Sequence, residues 1–239
     1  MKIIEYNDCN NIIVEFQDKY KTKTHAQYCN FVSGSIKNPY YPSIYGVGVV
    51  GNKYPRTINC KNIKEYDTWI HMLQRCFDDK LKKKQPAYND VTCCEKWLNY
   101  ENFYEWIHSQ ENFDKWVTND RWALDKDILI KGSKTYSPET CCLVPQNVNC
   151  LFLNRKALRG DLPIGVRQNG KKFEANYANA LTGGRETLGK YTTPEEAFLV
   201  YKSHKEKLIK QIAEIEYKVG NIAKRCYDAM MNYKVEIND

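Results

Sequence analysis

Carboxylate and amide side chains lie close together in the middle of the chain. Asp125 and Asp127 are two residues apart in the run 123–130, whose pattern predicts a strand, and Asn149 lies in a short helix predicted after it. Carboxylate and amide oxygens are the ligands that Mg²⁺ prefers in proteins. Asp125 and one of the asparagines of that helix, Asn147 or Asn149, are therefore candidate Mg²⁺ ligands. The alternative is that Asp125 and Asp127 are turn or ion-pair residues without a metal.

Basic side chains suited to nucleic acid occur in the C-terminal part of the chain. The planar guanidinium groups of Arg167 and Arg185 can bond guanine O6 and N7 together or bridge phosphates. Lys171, Lys172 and Lys190 would add a salt-sensitive attraction to phosphate. This pattern predicts a nucleic-acid-binding surface. The alternative is a module that contacts protein.

These arginines need a scaffold, and the local sequence predicts a three-stranded antiparallel sheet. A first strand is predicted at 164–167, followed by a turn at 168–170 that contains Asn-Gly, a strong hairpin signal. Alternating side chains predict a second strand at 173–178. A turn containing Gly183-Gly184 leads to a third strand at 185–191.

A helix start follows this sheet at Thr193. Thr193 as the N-cap, Pro194 at the first helical position and Glu196 form a capping-box pattern. The helix carries an apolar stripe, and we expect this stripe to pack on the inner face of the sheet through Phe173, Ala175, Tyr177 and Leu188.

The rest of the chain divides by pattern. Its first 60 residues are rich in Gly, Pro and short extended runs, whereas apolar residues recur every three or four positions from residue 63. We therefore expect an α+β protein with three parts: a small β-rich N-terminal module (1–60), an α+β middle domain (61–153), and a C-terminal sheet packed on a helix (154–239) that begins with a basic linker (154–161).

Four short motifs occur in order in the middle domain: W-x-x-M-x-x-x-C-F from Trp69, C-E-x-W from Cys94, L-D-K-D from Leu124 and Y-S-P-E-T-C from Tyr136. Together they resemble the HNH, or His-Me finger, endonuclease domain found in phages and mobile elements. The resemblance implies that Asp125 and Asn149 hold one Mg²⁺ ion and are catalytic. It places the general-base position at Lys126.

Lysine at the base position bears on the expected activity. An exposed lysine has a pKa of about 10.4, so it stays protonated near neutral pH and cannot take a proton from water as a neutral imidazole can. The four histidines all lie outside this segment. We therefore expect a degenerate HNH-like domain. An active Mg²⁺-dependent nicking endonuclease remains the alternative.

A second set of motifs spans about forty residues of the C-terminal part: G-V-R from Gly165, K-F-x-A from Lys172, R-x-x-L-G-x-Y from Arg185 and T-x-E-E-A from Thr193. It is similar to the APETALA/ethylene-response-factor DNA-binding domain, versions of which occur in phage homing endonucleases. That resemblance implies that the sheet enters the major groove of double-stranded DNA. The nucleic-acid-binding candidates are Arg167, Lys171, Lys172, Asn176, Arg185 and Thr187.

Departures from that family concern its contact positions. Arg167 and Arg185 align with DNA-contacting arginines, but Ala178 replaces an arginine and Thr187 replaces an aromatic residue. The first hairpin is one residue shorter. The family's target sequence therefore does not carry over to this chain.

Composition limits the classes of function. The chain has 239 residues and a formal net charge of +7, and residues 151–239 hold 16 basic against 11 acidic side chains, which suggests an anionic partner. There is no signal-peptide pattern and no apolar run long enough for a membrane span, so we expect a cytoplasmic protein without a membrane partner. Ten cysteines without C-x-x-C spacing suggest reduced thiols rather than a zinc site.

The favoured function from sequence is double-stranded DNA binding by a phage or mobile-element type protein. Two alternatives remain besides pure binding. One is the Mg²⁺-dependent nicking enzyme. The other is a phage regulator or inhibitor that acts on a host defence nuclease or ribonucleoprotein through its basic surface.

Overall fold

The structure is a computed structural model that describes residues 1–153 and 160–239. It contains both helices and several small antiparallel sheets, so the α+β prediction is confirmed. Most of the predicted basic linker, residues 154–159, lies outside the described residues. The chain forms two compact units, Met1–Glu105 and Trp106–Asp239. The division into three parts stays a prediction.

The first unit begins with a three-stranded antiparallel sheet in which β2 is central. Alternation along β2 fully buries Ile12 and Val14 and leaves their neighbours more exposed. A short helix and a small hairpin follow this sheet. The elements are β1 (Lys2–Asp8), β2 (Asn11–Glu15), β3 (Lys23–Ala26), α1 (Tyr28–Val32), β4 (Thr57–Ile58) and β5 (Lys61–Asn62).

Helices predominate after residue 63, as their three-to-four residue period predicts. Trp69, Met72 and Leu73 are fully buried on one face of α2, and the Trp69 indole donates a 2.7 Å hydrogen bond to the carbonyl of Trp97. The division between the two units falls within α4. The elements are α2 (Lys64–Phe77), α3 (Asp79–Lys84), β6 (Thr92–Cys93) and α4 (Tyr100–His108).

The first half of the second unit contains the strand pair of β7 (Trp122–Asp125) and β9 (Cys142–Pro145). β7 pairs antiparallel with β9, and Asp125 lies opposite Cys142. The strand predicted at 123–130 is shorter than expected and ends at Asp125. It ends there because the Asp125 side chain accepts hydrogen bonds from the backbone N–H groups of Asp127 and Ile128. The elements are α5 (Phe113–Thr118), β7 (Trp122–Asp125), β8 (Thr135–Tyr136), β9 (Cys142–Pro145) and α6 (Gln146–Asn149).

The second half contains the predicted sheet and helix, in the strand order β10–β11–β12. The capping box at Thr193 and Glu196 is present, so the predicted helix start is confirmed. The hairpin turn differs by a small shift: β10 continues to Asn169 and the turn is at Gly170 and Lys171. The elements are β10 (Val166–Asn169), β11 (Lys172–Ala178), β12 (Arg185–Tyr191), α7 (Pro194–Lys218) and α8 (Lys224–Met231).

The 25-residue helix α7 takes part in two cores of this unit. Its first turns pack Ala197, Phe198 and Tyr201 against the inner face of the sheet, where Ala175 is fully buried and Phe173, Tyr177 and Leu188 are partly buried, as predicted. Its later turns pack with β9, α6 and α8 around a second cluster: Val144, Val148, Leu208, Ile209, Ile212 and Cys226.

Candidate nucleic-acid interface and the Asp125 turn

The outer face of the C-terminal sheet gathers most of the predicted nucleic-acid contacts. Register places Arg167 opposite Glu174 and Glu174 opposite Lys190, which makes one row across all three strands. Lys172 lies two residues before Glu174 on the same face. Asn176 opposite Thr187 forms the next row, and Ala178 opposite Arg185 the last.

A β-bulge in β12 places two of these residues on the outer face. Ala175 pairs with Gly189 but Asn176 pairs with Thr187, so Leu188 is an extra residue. Side chains alternate between the two faces along a strand. The extra residue Leu188 therefore moves the side chains that precede it in β12 to the opposite face of the sheet. Leu188 therefore packs inward, while Thr187 points outward and donates a 2.8 Å hydrogen bond to Asn176 Oδ1.

Glu174 is the centre of the first outer row. Arg167 Nε and Nη2 each lie 2.7 Å from Glu174 Oε2, and Asn169 Nδ2 and Lys190 Nζ approach Oε1. These side chains cover the Glu174 side chain, which is only 4% exposed, whereas that of Arg167 is 58% exposed. The Asn169 amide, the Arg167 guanidinium and Lys190 lower the pKa of Glu174 to about 2.

The other basic candidates are exposed and free of ion pairs within the part of the chain that the structure describes. Lys172 and Arg185 lie on β11 and β12, and Lys171 lies in the hairpin turn. Lys172 and Arg185 carry the same sign as Arg167 and Lys190 on the same face. Long side chains of this kind can follow a phosphate backbone, and their charge makes such binding sensitive to salt.

Asp125 forms a buried turn after β7. Its Oδ1 accepts 2.8 Å hydrogen bonds from the backbone N–H groups of Asp127 and Ile128, and the residue is 7% exposed. Burial raises the pKa of Asp125, and these two N–H groups partly oppose that shift. The described hydrogen bonds leave Oδ2 as the oxygen that could meet a metal ion.

The neighbouring polar residues have structural partners. Lys126 Nζ lies 2.8 Å from the Asp127 carboxylate and 2.7 Å from the Ser133 carbonyl, so this ammonium group braces the loop after β7. Asn149, the other candidate ligand, is half-buried in α6. No group of three or more His, Cys, Asp or Glu side chains is placed to hold a metal ion in residues 1–153 and 160–239. The Asp125–Asn149 site stays a prediction.

Glu174 is the residue of this face that the sequence reasoning missed. The signal was present in the hairpin: a two-residue turn at Gly170 and Lys171 pairs Asn169 with Lys172 and therefore Arg167 with Glu174. An acid opposite an arginine on an otherwise basic strand pair is the cross-strand pattern that marks an ion pair.

Comparison of this chain with protein-family models, with curated proteins and with solved structures finds no match. Within the described residues, no helix is both long enough and apolar enough to cross a membrane.

Proposed function

We propose that the outer face of the β10–β11–β12 sheet binds double-stranded DNA, as expected for a phage or mobile-element type protein with an ethylene-response-factor type domain. The observation that carries this proposal is the group of exposed basic side chains on the sheet face opposite α7. Arg167, Lys172, Arg185 and Lys190 share this face, while α7 covers the other.

The dimensions of the sheet support this mode of binding. Neighbouring strands lie about 4.8 Å apart, so three strands span about 10 Å between the outer two. The major groove of B-DNA is about 12 Å wide and admits a two-stranded β-ribbon. In this arrangement Arg167 and Arg185 reach base edges or phosphates, and Lys171 and Lys172 contact the backbone.

Binding of the whole protein to a random-sequence duplex over a series of salt concentrations tests the proposal. We expect log affinity to fall linearly with log salt, because bound cations release counterions from the DNA. Arg167→Ala should weaken binding to a duplex selected from this pool by about 1–3 kcal/mol. Lys207→Ala is the matched control, since it removes one charge from an exposed position of α7.

Unchanged affinity of Arg167→Ala in a gel-shift titration would refute the role of this arginine. A wild-type protein without salt-dependent duplex binding would refute the proposed function. That result would favour the alternative role, in which the protein acts on a host defence nuclease or ribonucleoprotein.

A second candidate function is Mg²⁺-dependent nicking by the HNH-like segment. Its support is the Asp125 carboxylate, which ends β7 and keeps Oδ2 outside its described hydrogen bonds. A Mg²⁺ ion usually retains several waters and is bound by one or two protein oxygens, so Asp125 and Asn149 would be its ligands. The ion would polarise a phosphate oxygen. Lys126 is paired with Asp127 and would not serve as the general base.

A supercoiled-plasmid assay with Mg²⁺ separates this candidate from pure binding. If the segment is active, wild-type protein converts supercoiled plasmid to the nicked form and Asp125→Asn does not. Lack of nicking by wild-type protein that binds the same plasmid would exclude the activity and leave the binding function intact.

A further inference from the structure

The side chain of Arg167 is both exposed and held in place, which is an unusual combination for a surface arginine. Long basic side chains on a surface usually sample many rotamers, and fixing one of them costs conformational entropy. Here Glu174 holds the guanidinium group while more than half of the Arg167 side chain, 58%, stays exposed. A partner that binds this arginine therefore meets a group that is already ordered.

The contact with Glu174 uses one particular edge of the guanidinium group. Nε and Nη2 of Arg167 both bind Glu174 Oε2, and these two nitrogens form the side edge of the group. The end edge, formed by Nη1 and the remaining hydrogen of Nη2, is left for a partner. Two donors in one plane fit a base that offers two acceptors side by side in the major groove, and guanine, with O6 and N7, is that base.

We propose that Glu174 is a positioning residue that holds the side edge of Arg167 and so directs its end edge to guanine in the major groove. This inference rests on the proposed DNA-binding function. Asn169 and Lys190 hold the other carboxylate oxygen, so Glu174 cannot rotate away without losing contacts on both neighbouring strands. Glu174 itself touches no base.

Glu174→Gln should have opposite effects on binding to a guanine-containing duplex and on binding to a duplex without guanine. Glu174→Gln removes a negative charge from a face that meets phosphates, so charge alone predicts tighter binding to any duplex. The amide of Gln also turns one oxygen into an NH2 donor that faces either the Arg167 donors or the Asn169 and Lys190 donors, so the carboxylate contacts on one side are lost. This loss of positioning predicts weaker binding to a guanine-containing target. A residue with a purely structural role would weaken both kinds of binding together.

The test uses full-length protein and a random-sequence duplex pool, with the bound fraction sequenced, and an alternating A·T duplex as the guanine-free probe. Wild-type protein should enrich guanine at one position of the bound duplexes. Glu174→Gln should lower that enrichment roughly tenfold and bind the A·T duplex at least as tightly as wild type. Arg167→Lys keeps the charge but has no guanidinium group and therefore no side edge for Glu174 to hold. This variant should lose the guanine enrichment in the same way.

The outcomes separate this inference from the proposed function. Wild-type protein that fails to bind either duplex overturns both. Wild-type binding with a guanine preference that Glu174→Gln or Arg167→Lys retains in full overturns the inference alone. Equal weakening of Glu174→Gln on both duplexes also overturns it, because it shows a structural role.

Discussion

Glu174 shows how one carboxylate can organise a basic surface. It lies opposite a cation on each neighbouring strand, and its two oxygens are bound by Arg167, Asn169 and Lys190. The negative charge offsets repulsion between Arg167 and Lys190 across the sheet. The row keeps a net positive charge and gains a fixed geometry.

Glu174 should also make the stability of the protein sensitive to acid. Its pKa in the folded protein is about 2, below the ordinary value of 4.5, so the folded state favours the ionised carboxylate. The contribution to the free energy of unfolding is complete above about pH 4.5 and is lost as the pH falls towards about 2. Urea unfolding of wild type and Glu174→Gln across this range should show a shallower acid loss in the variant.

The control for this measurement is Glu214→Gln, the same chemical change at an exposed position of α7. Its acid dependence should match that of wild type. If Glu174→Gln loses stability with the same slope as wild type, the ion-pair cluster does not persist in solution.

Asp125 is expected to stabilise the fold whether or not it binds a metal. Asp125→Ala leaves the N–H groups of Asp127 and Ile128 without their acceptor, and Ile128 is buried, so we expect a loss of about 1–3 kcal/mol. Asp125→Asn keeps an oxygen acceptor, and burial already opposes charge on this side chain, so it should lose less. Thermal unfolding of the two variants measures the difference.

This loss of stability decides which Asp125 variant is informative in a nuclease assay. An inactive Asp125→Ala protein is ambiguous, since unfolding alone would explain it. Asp125→Asn is the informative variant. An Asp125→Ala variant as stable as wild type would mean that the turn does not depend on this side chain.

The sheet and α7 depend on one close approach of backbone to ring. Gly165 has a φ of +77°, and a Cβ at this position would lie 2.1 Å from the Tyr201 ring. Tyr201 is buried between the helix and the sheet. A side chain at residue 165 would therefore force the sheet and the helix apart.

Gly165→Ala should destabilise the protein by about 1–3 kcal/mol more than Gly170→Ala. Gly170 has a similar φ of +61°, but an added Cβ meets nothing within 4 Å, so it controls for backbone strain alone. Denaturant unfolding of both variants gives the difference. Similar losses in the two variants would show that Tyr201 moves aside at little cost.

The cysteines report on the packing of the whole molecule. Cys9, Cys29, Cys60 and Cys150 are exposed, whereas Cys76, Cys141, Cys142 and Cys226 are buried. Burial raises the pKa of Cys141 to about 12, and its neighbour Cys226 together with burial raises that of Cys142. Since the thiolate is the reactive form, the buried thiols should be inert in the folded protein.

A thiol reagent that absorbs on reaction should detect the four exposed cysteines quickly and the four buried ones only after denaturant is added. Cys93 and Cys94 are partly buried and should react at intermediate rates. Rapid reaction of all ten thiols without denaturant would contradict the packing described for both units.

The sequence by itself determined the elements of the C-terminal sheet and the start of the helix that follows it. The helix start at Thr193 and Glu196 was predictable because a capping box involves residues three positions apart. The alternation at 173–177 identified which side chains face α7, and the period of α2 identified its buried face, since each depends only on local geometry. The candidate arginines followed from residue type.

The tertiary structure decided which side chains meet, because pairing depends on contacts between strands. The strand register places Arg167 opposite Glu174. The extra residue Leu188 moves Arg185 to the outer face of the sheet, the face on which Arg167 lies. Burial made Asp125 a turn-forming residue with a raised pKa. The hairpin turn carries a signal for the register of β10 and β11, but neither the bulge nor the burial is local, so a pattern of residue types along the chain could not supply them.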